Sequence, residues 1–285
     1  MYHPRRVAPS GRIALAQIDT TVGDFEGNAA RIRAATERAR AAGAGLAVFP
    51  ELAICGYPPR DFLDFPEFLD RAALALADLA RPAAWSSGIA IAVGFPEAAR
   101  GAPPPGVYNS VALVADGKVA AVGRKSLLPT YDVFDETRYF LPADRSTAAD
   151  AAPFALRIGL SICEDVWNDK RFWDRPRYAR DPIADLARDG AGLVVNVSAS
   201  PYAVGKPALR ERMLSASAKG HGAPIAYVNQ VGGNDALLFD GGSLLVGADG
   251  AILARAPLFR EALVLADLDG GKVEVLGPDG APLPP

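Results

Sequence analysis

Four short segments of this 285-residue chain place reactive side chains next to residues that read as strand ends. Pro50-Glu51 follows an apolar run at 46–49. Arg124-Lys125 follows a run at 119–123. Cys163-Glu164-Asp165 follows 156–162, and Ser198-Ala199-Ser200-Pro201-Tyr202 follows 193–197. In α/β sheets, ligands gather outside the carboxyl ends of strands. A carboxylate, an ammonium, a thiol and hydroxyls converging there would suffice for acyl transfer: a nucleophile, a base, and a group to hold the oxyanion. Taken singly, each residue has a plainer role. A cysteine after a strand is more often a buried small hydrophobe, and a glutamate or lysine there is usually solvated. The chain has two histidines. His3 sits in a polar N-terminal stretch and His221 near a helix end, where capping is the simpler role. A Cys–His pair is therefore disfavoured, and Glu51 becomes the natural base for Cys163. Cys55, within Leu52-Ala53-Ile54-Cys55-Gly56-Tyr57, reads as structural.

Periodicity and turn chemistry outline the elements that must position these groups. Strands are expected at 12–18, 46–49, 89–95, 108–115, 119–123, 156–162, 193–197 and 225–229. Helices are expected at 25–42, 66–80 and 207–219, with another opened by Asp181-Pro182 and closed by Gly190. Asp116-Gly117 and Asp249-Gly250 are hairpin signals. Strand–helix–strand units imply parallel pairing and the hairpins antiparallel pairing, so the expected fold is α/β, with mixed sheets and helices outside. Residues 44–48 and 191–195 are near-repeats of one another, Ala-Gly-Leu-Ala-Val and Ala-Gly-Leu-Val-Val, each following a helix, as two similar halves would produce. Residues 143–153 read as a loop. Residues 270–285 read as an extension without helical or strand period. The glycines at 232, 233, 241 and 242 read as turns, since they form neither a dinucleotide nor a Walker loop.

Composition narrows the classes. The chain is 50% apolar and 22% charged with net charge −3. No basic stripe suggests a nucleic acid partner. Two cysteines do not make a disulfide framework, which favours a reducing compartment. No secretory leader is apparent, and no apolar stretch reaches the length of a membrane span. A cytoplasmic location is expected. Neither histidine nor cysteine spacing suggests a metal site.

Taken together, Phe49-Pro50-Glu51, Arg124-Lys125-Ser126-Leu127-Leu128-Pro129 and Gly159-Leu160-Ser161-Ile162-Cys163-Glu164-Asp165 resemble the three ordered motifs of the carbon–nitrogen hydrolase (nitrilase) superfamily. Within it, the segments 50–59, 133–140, 163–167 and 227–233 are similar to the glutaminase domains of glutamine-dependent NAD synthetases. The resemblance implies a four-layer αββα sandwich of two mixed sheets. It implies Glu51 as general base, Lys125 as oxyanion support and Cys163 as nucleophile toward the side-chain amide of glutamine, without metal or organic cofactor. It implies Glu136 as a further glutamate positioning lysine and substrate, and Tyr131, Ser200 and Lys206 as glutamine contacts. The expected organisation is an N-terminal extension over 1–11, the hydrolase domain over 12–268 and a C-terminal extension over 269–285. No synthetase domain or nucleotide-binding loop is expected in the chain. Ammonia would then serve a synthetase domain or subunit outside it, and homo-oligomerisation is expected. Two other functions stay open at this level: a free-standing amidase or nitrilase on another small amide, and a catalytically idle interaction subunit.

Overall fold

A computed structural model describes residues 11–283. The chain runs from β1 (Arg12–Gln17) through α1 (Phe25–Ala41) to β2 (Leu46–Val48), and through α2 (Pro66–Leu79) to β3 (Ala90–Ala98). β4 (Val107–Ala115) and β5 (Lys118–Arg124) follow as a hairpin. Next come β6 (Thr147–Ala151), β7 (Phe154–Ile162), α3 (Pro182–Arg188), β8 (Leu193–Ser198), α4 (Lys206–His221) and β9 (Ile225–Asn229). A ribbon of β10 (Val231–Asn234) and β11 (Leu237–Asp240) precedes the hairpin of β12 (Leu244–Val246) and β13 (Ile252–Arg255). The chain closes with β14 (Ala262–Asp267) and β15 (Val273–Leu276).

The strands form two large sheets, ordered β15-β14-β1-β2-β3-β4-β5 and β13-β12-β9-β8-β7-β6. At the centre of the first, β1, β2 and β3 run parallel, with α1 and α2 as crossovers. At the centre of the second, β7, β8 and β9 do the same through α3 and α4. Each trio is flanked by antiparallel strands, as crossover and hairpin connections require. The two near-repeats enter β2 and β8, the corresponding central strands of the halves.

Alternation along these strands produces the layers. Ile13 and Leu15 of β1 join Leu193, Val195 and Val197 of β8 in one buried cluster between the sheets. Ala14 and Ala16 face the other way, onto Ile32, Ala35 and Ala39 of α1. Val194 faces Met213 and Leu214 of α4. The layers are thus helix, sheet, sheet, helix. Burial on both faces explains why the central strands are apolar throughout, and each wholly buried Leu or Val side chain adds about 1.5–3 kcal/mol of transfer energy. Asp24 caps α1 through Gly27 N–H, and Asp181 caps α3 through Ala184 N–H. Asp116 and Gly117 join β4 to β5 with φ of 50° and 73°, the type I′ geometry that matches strand twist. Among the described residues, no helix is long and apolar enough to cross a membrane.

Three expectations are corrected. The tract 143–153 contains the strand β6, paired antiparallel with β7. The tail after residue 269 contains β15, paired antiparallel with β14. Both are edge strands on one-sided neighbours, so pairing rather than an apolar period of their own defines them. Gly232 and Gly233 lie inside β10, while Gly241 and Gly242 do adopt left-handed φ of 64° and 63°. Most of the stretch 1–11, with His3, lies outside the described residues.

Candidate active site

Glu51 lies just beyond β2, where the chain makes a tight approach to β3. Leu52 has φ of 49°, and a Cβ at Gly94 of β3 would stand 2.2 Å from Leu52 N and 2.7 Å from Pro50 O. Only glycine admits this close passage of two backbones. It directs the Glu51 side chain into the interior, with none of its surface exposed. One carboxylate oxygen accepts from Asn109 Nδ2 at 2.7 Å and Lys125 Nζ at 2.8 Å. The other accepts the backbone N–H of Ala199 at 2.9 Å, beyond β8 in the second sheet. The carboxylate therefore ties the two halves together.

Lys125 follows β5 directly and is wholly buried. Its Nζ also lies 2.9 and 2.6 Å from the two oxygens of Glu136. Tyr57 OH donates to that carboxylate at 3.0 Å. Burial alone would pull the ammonium down, but the Glu136 and Glu51 carboxylates outweigh it and hold Lys125 well above the usual lysine range. Burial pushes Glu136 up to about 7, Lys125 opposing and the Glu51 charge adding to the rise. One ammonium between two buried carboxylates leaves room for one more proton near neutrality.

Cys163 begins a short 3₁₀ turn, Cys163–Val166, where β7 ends. Its φ is 42°, a left-handed conformation disfavoured for a residue with a Cβ and costing roughly 1–3 kcal/mol. Asp165 holds the turn. Its carboxylate accepts Ile162 N–H at 3.1 Å, and Ser126 and Leu127 N–H at 3.0 and 2.9 Å. The same side chain thus ties the cysteine turn to the segment after Lys125. Burial and the Glu51 charge raise the Cys163 thiol well above its usual range, with Lys125 opposing. A thiol raised in this way holds its proton, and nucleophilic use of it would need a base to take that proton. Cys55 is also buried and raised, by burial alone, and sits in the core between the first sheet and its helices.

Cys163 opens on a cavity of about 850 Å³, lined among others by Tyr131, Glu164, Trp167, Arg177, Ser200 and Lys206. Tyr131 OH donates to both Glu164 oxygens at 2.9 Å, and Tyr178 OH donates to one at 3.1 Å. The Arg177 guanidinium lies 4.0 Å from the Tyr131 ring centre. Lys206 Nζ donates to the Pro201 carbonyl at 2.9 Å, and burial lowers its pKa from the usual lysine value. The fold therefore gathers Glu51, Lys125 and Glu136 into one buried hydrogen-bonded cluster whose charges act on Cys163. It sets Cys163, Tyr131, Ser200 and Lys206 on one cavity wall. Asn109 and Tyr178 are absent from the sequence-based candidates, and Glu164 and Asp165 figure there only as neighbours of the cysteine, without roles of their own. Glu164 and Asp165 carried a signal, adjacency to the cysteine. Asn109 and Tyr178 carried none, because their partners are remote in sequence. His221 is the last residue of α4, at the helix end where the sequence places it. Its Nε2 faces Asp169 Oδ2 at 3.4 Å. Among the described residues, Asp169, Asp181 and His221 bring ligand-type atoms within 4.8 Å of one another, but Asp181 already caps α3 and Asp169 also accepts from Arg171.

Known proteins share the sequence and the fold of this chain. The glutamine-dependent NAD(+) synthetase of Synechocystis sp. is 46% identical over 278 residues, 95% of this chain and 49% of that protein. The Thermotoga maritima protein of the same name is 39% identical over 90% of this chain and 42% of its own length. This chain spans about half the length of the curated relatives it matches. Among solved structures, the Acinetobacter baumannii glutamine-dependent NAD+ synthetase superposes with TM-score 0.79 at 34% identity, covering 90% of this chain and 45% of that one. An amidase from Nesterenkonia sp. superposes with TM-score 0.74 at 27% identity, covering 92% and 91%. The carbon–nitrogen hydrolase family model matches residues 12–276, and the chain belongs to that family.

Proposed function

We propose that this chain hydrolyses the side-chain amide of glutamine and supplies ammonia for NAD synthesis by a synthetase domain or subunit outside residues 1–285. The observation that carries the reading is the Lys125 ammonium, held 2.8 Å from Glu51 and 2.6 Å from Glu136, acting on a thiol presented by a strained turn at the cavity wall. In this reading Glu51 takes the Cys163 proton as sulfur adds to the amide carbon. Lys125 and a backbone N–H near the nucleophile stabilise the negative oxygen. Glu51 returns the proton to the departing ammonia. It then activates water, which hydrolyses the thioester and releases glutamate. The cavity wall of Tyr131, Ser200 and Lys206 would hold the amino-acid head. Ammonia is mostly ammonium at neutral pH and then a poor nucleophile, so a productive system passes it to the second site by a sheltered route. The functional unit is the hydrolase domain expected over residues 12–268 together with β15, which extends its first sheet to residue 276, and we place it in the cytoplasm as a homo-oligomer. Sedimentation of the purified chain tests the last point.

A second reading is favoured by the amidase from Nesterenkonia sp., which this chain matches over almost its whole length: a free-standing amidase for a small aliphatic amide. Ammonia release from glutamine and from propionamide, compared side by side, decides. A higher kcat/KM for glutamine, and NAD formation when an ammonia-dependent synthetase and its substrates are added, are expected. Faster turnover of propionamide with no response to the synthetase would establish the second reading. Absence of turnover with either would leave an idle subunit.

A further inference from the structure

The segment beyond β8 makes three successive commitments. Ala199 N–H bonds to Glu51 at 2.9 Å, Ser200 N–H bonds to Asn229 Oδ1 at 2.8 Å, and the Pro201 carbonyl receives Lys206 Nζ at 2.9 Å. One stretch of backbone therefore joins the candidate base to two residues of the cavity wall. Glu51 fixes one end of it. The middle depends on Asn229, the last residue of β9, whose Nδ2 also donates to the Ser200 carbonyl at 3.3 Å. A primary amide, with an acceptor beside a donor, can hold both main-chain groups of one residue; an ionised carboxylate of similar size, which has no donor, cannot.

That amide works in only one orientation, and the surroundings select it. Asn229 Nδ2 lies 2.9 Å from the Gly241 carbonyl and 3.4 Å from Asp240 Oδ1, so a rotated amide would aim its oxygen at acceptors. Asp240 is in turn gripped by Arg210, with Nη1 and Nη2 each 3.0 Å from one carboxylate oxygen. Arg210 and Asp240 are 1% and 0% exposed. Arg210 lies one turn beyond Lys206 on α4, so a single helix carries the cavity cation and the clamp behind it. Main-chain bonding between Asn229 and Ser243 closes the set, as Ser243 Oγ accepts Asn229 N–H at 3.0 Å.

From this we infer that Asn229, oriented by the buried Arg210–Asp240 pair, is a positioning residue that holds Ser200 and Lys206 in register for an amide bearing an amino-acid head. Asn229 touches no reacting atom. The inference rests on the glutamine reading above. Because Ala199 keeps its own bond to Glu51, loosening Ser200 acts on recognition of the head more than on chemistry at the amide.

The test uses the full chain and two substrates, glutamine and the headless propionamide. Asn229→Ala is expected to raise KM for glutamine about tenfold or more, with kcat changed no more than about threefold and propionamide kcat/KM nearly unaltered. Arg210→Lys keeps the charge but loses the two-pronged grip. It is expected to give the same selective rise, smaller in size, and serves if Asn229→Ala does not fold. Equal losses on both substrates, or a fall in kcat with KM unchanged, would overturn the positioning role alone. An unmodified chain that turns over propionamide and ignores glutamine would overturn the glutamine reading, and this inference with it.

Discussion

Replacing Lys125 with methionine removes one charge and little volume, and its consequences can be worked from the geometry. The ammonium is wholly buried, 2.8 Å from one Glu51 oxygen and 2.9 and 2.6 Å from those of Glu136. Without it, two buried carboxylates share a site with no counter-charge, and breaking a buried pair in this way typically costs about 3–5 kcal/mol. Protonation can relieve much of that cost. Glu136 is already raised by burial to about 7, and Lys125 is the group holding it down, so the substitution moves it further up. A carboxyl raised in the folded state binds its proton more tightly there than in the unfolded chain. Stability therefore falls as pH rises from the unfolded carboxyl range through the folded value. For the native protein this group's window runs from about 4.5 to 7; for Lys125→Met it extends upward. The deficit of the variant in urea unfolding should be small at pH 5 and grow toward about 3–5 kcal/mol by pH 8. Glutamine turnover at pH 7.5 should fall by about 10²–10³, the usual effect of deleting one oxyanion donor. A deficit that does not change with pH, or a variant retaining a tenth of native turnover, would refute the reasoning.

Further outcomes follow from the same contacts. Cys163→Ala should abolish ammonia release while preserving the unfolding midpoint, whereas Cys55→Ala should remain active; a diazo-ketone norleucine should add mass to the peptide containing Cys163, and labelling of Cys55 would reverse the assignment. Asp165→Asn keeps shape but replaces one of the two oxygens that together accept three main-chain N–H groups with an N–H donor, so a loss of about 1–3 kcal/mol and a lower kcat are expected from unfolding and turnover measurements. Gly94→Ala would put a methyl 2.2 Å from Leu52 N, so Glu51 should be displaced and activity lost; native kinetics in this variant would show that the loop can yield.

What the sequence by itself determined is the inventory and its order. Reactive types at strand ends, alternation of mixed parallel and hairpin pairing, the cap at Asp181 and the Asp116-Gly117 turn are local signals, written within a few residues and read without knowing what lies nearby. The central strands were legible because burial on both faces leaves them apolar, and the echo between 44–48 and 191–195 already marked the two halves. Only the tertiary structure decided what those residues do to one another. β6 and β15 exist because a neighbour offers an unpaired edge, which leaves no periodic trace in their own residues. Asn109 reaches Glu51 across 58 positions of sequence, and Ala199 N–H across 148. The charge balance of the cluster is likewise a property of distance and burial. Glutamate at 51 and 136 and lysine at 125 have ordinary acidities in water; once the groups are taken out of water, burial and the Glu51 charge shift Glu136 toward neutrality and hold the Cys163 proton, against the opposing pull of Lys125.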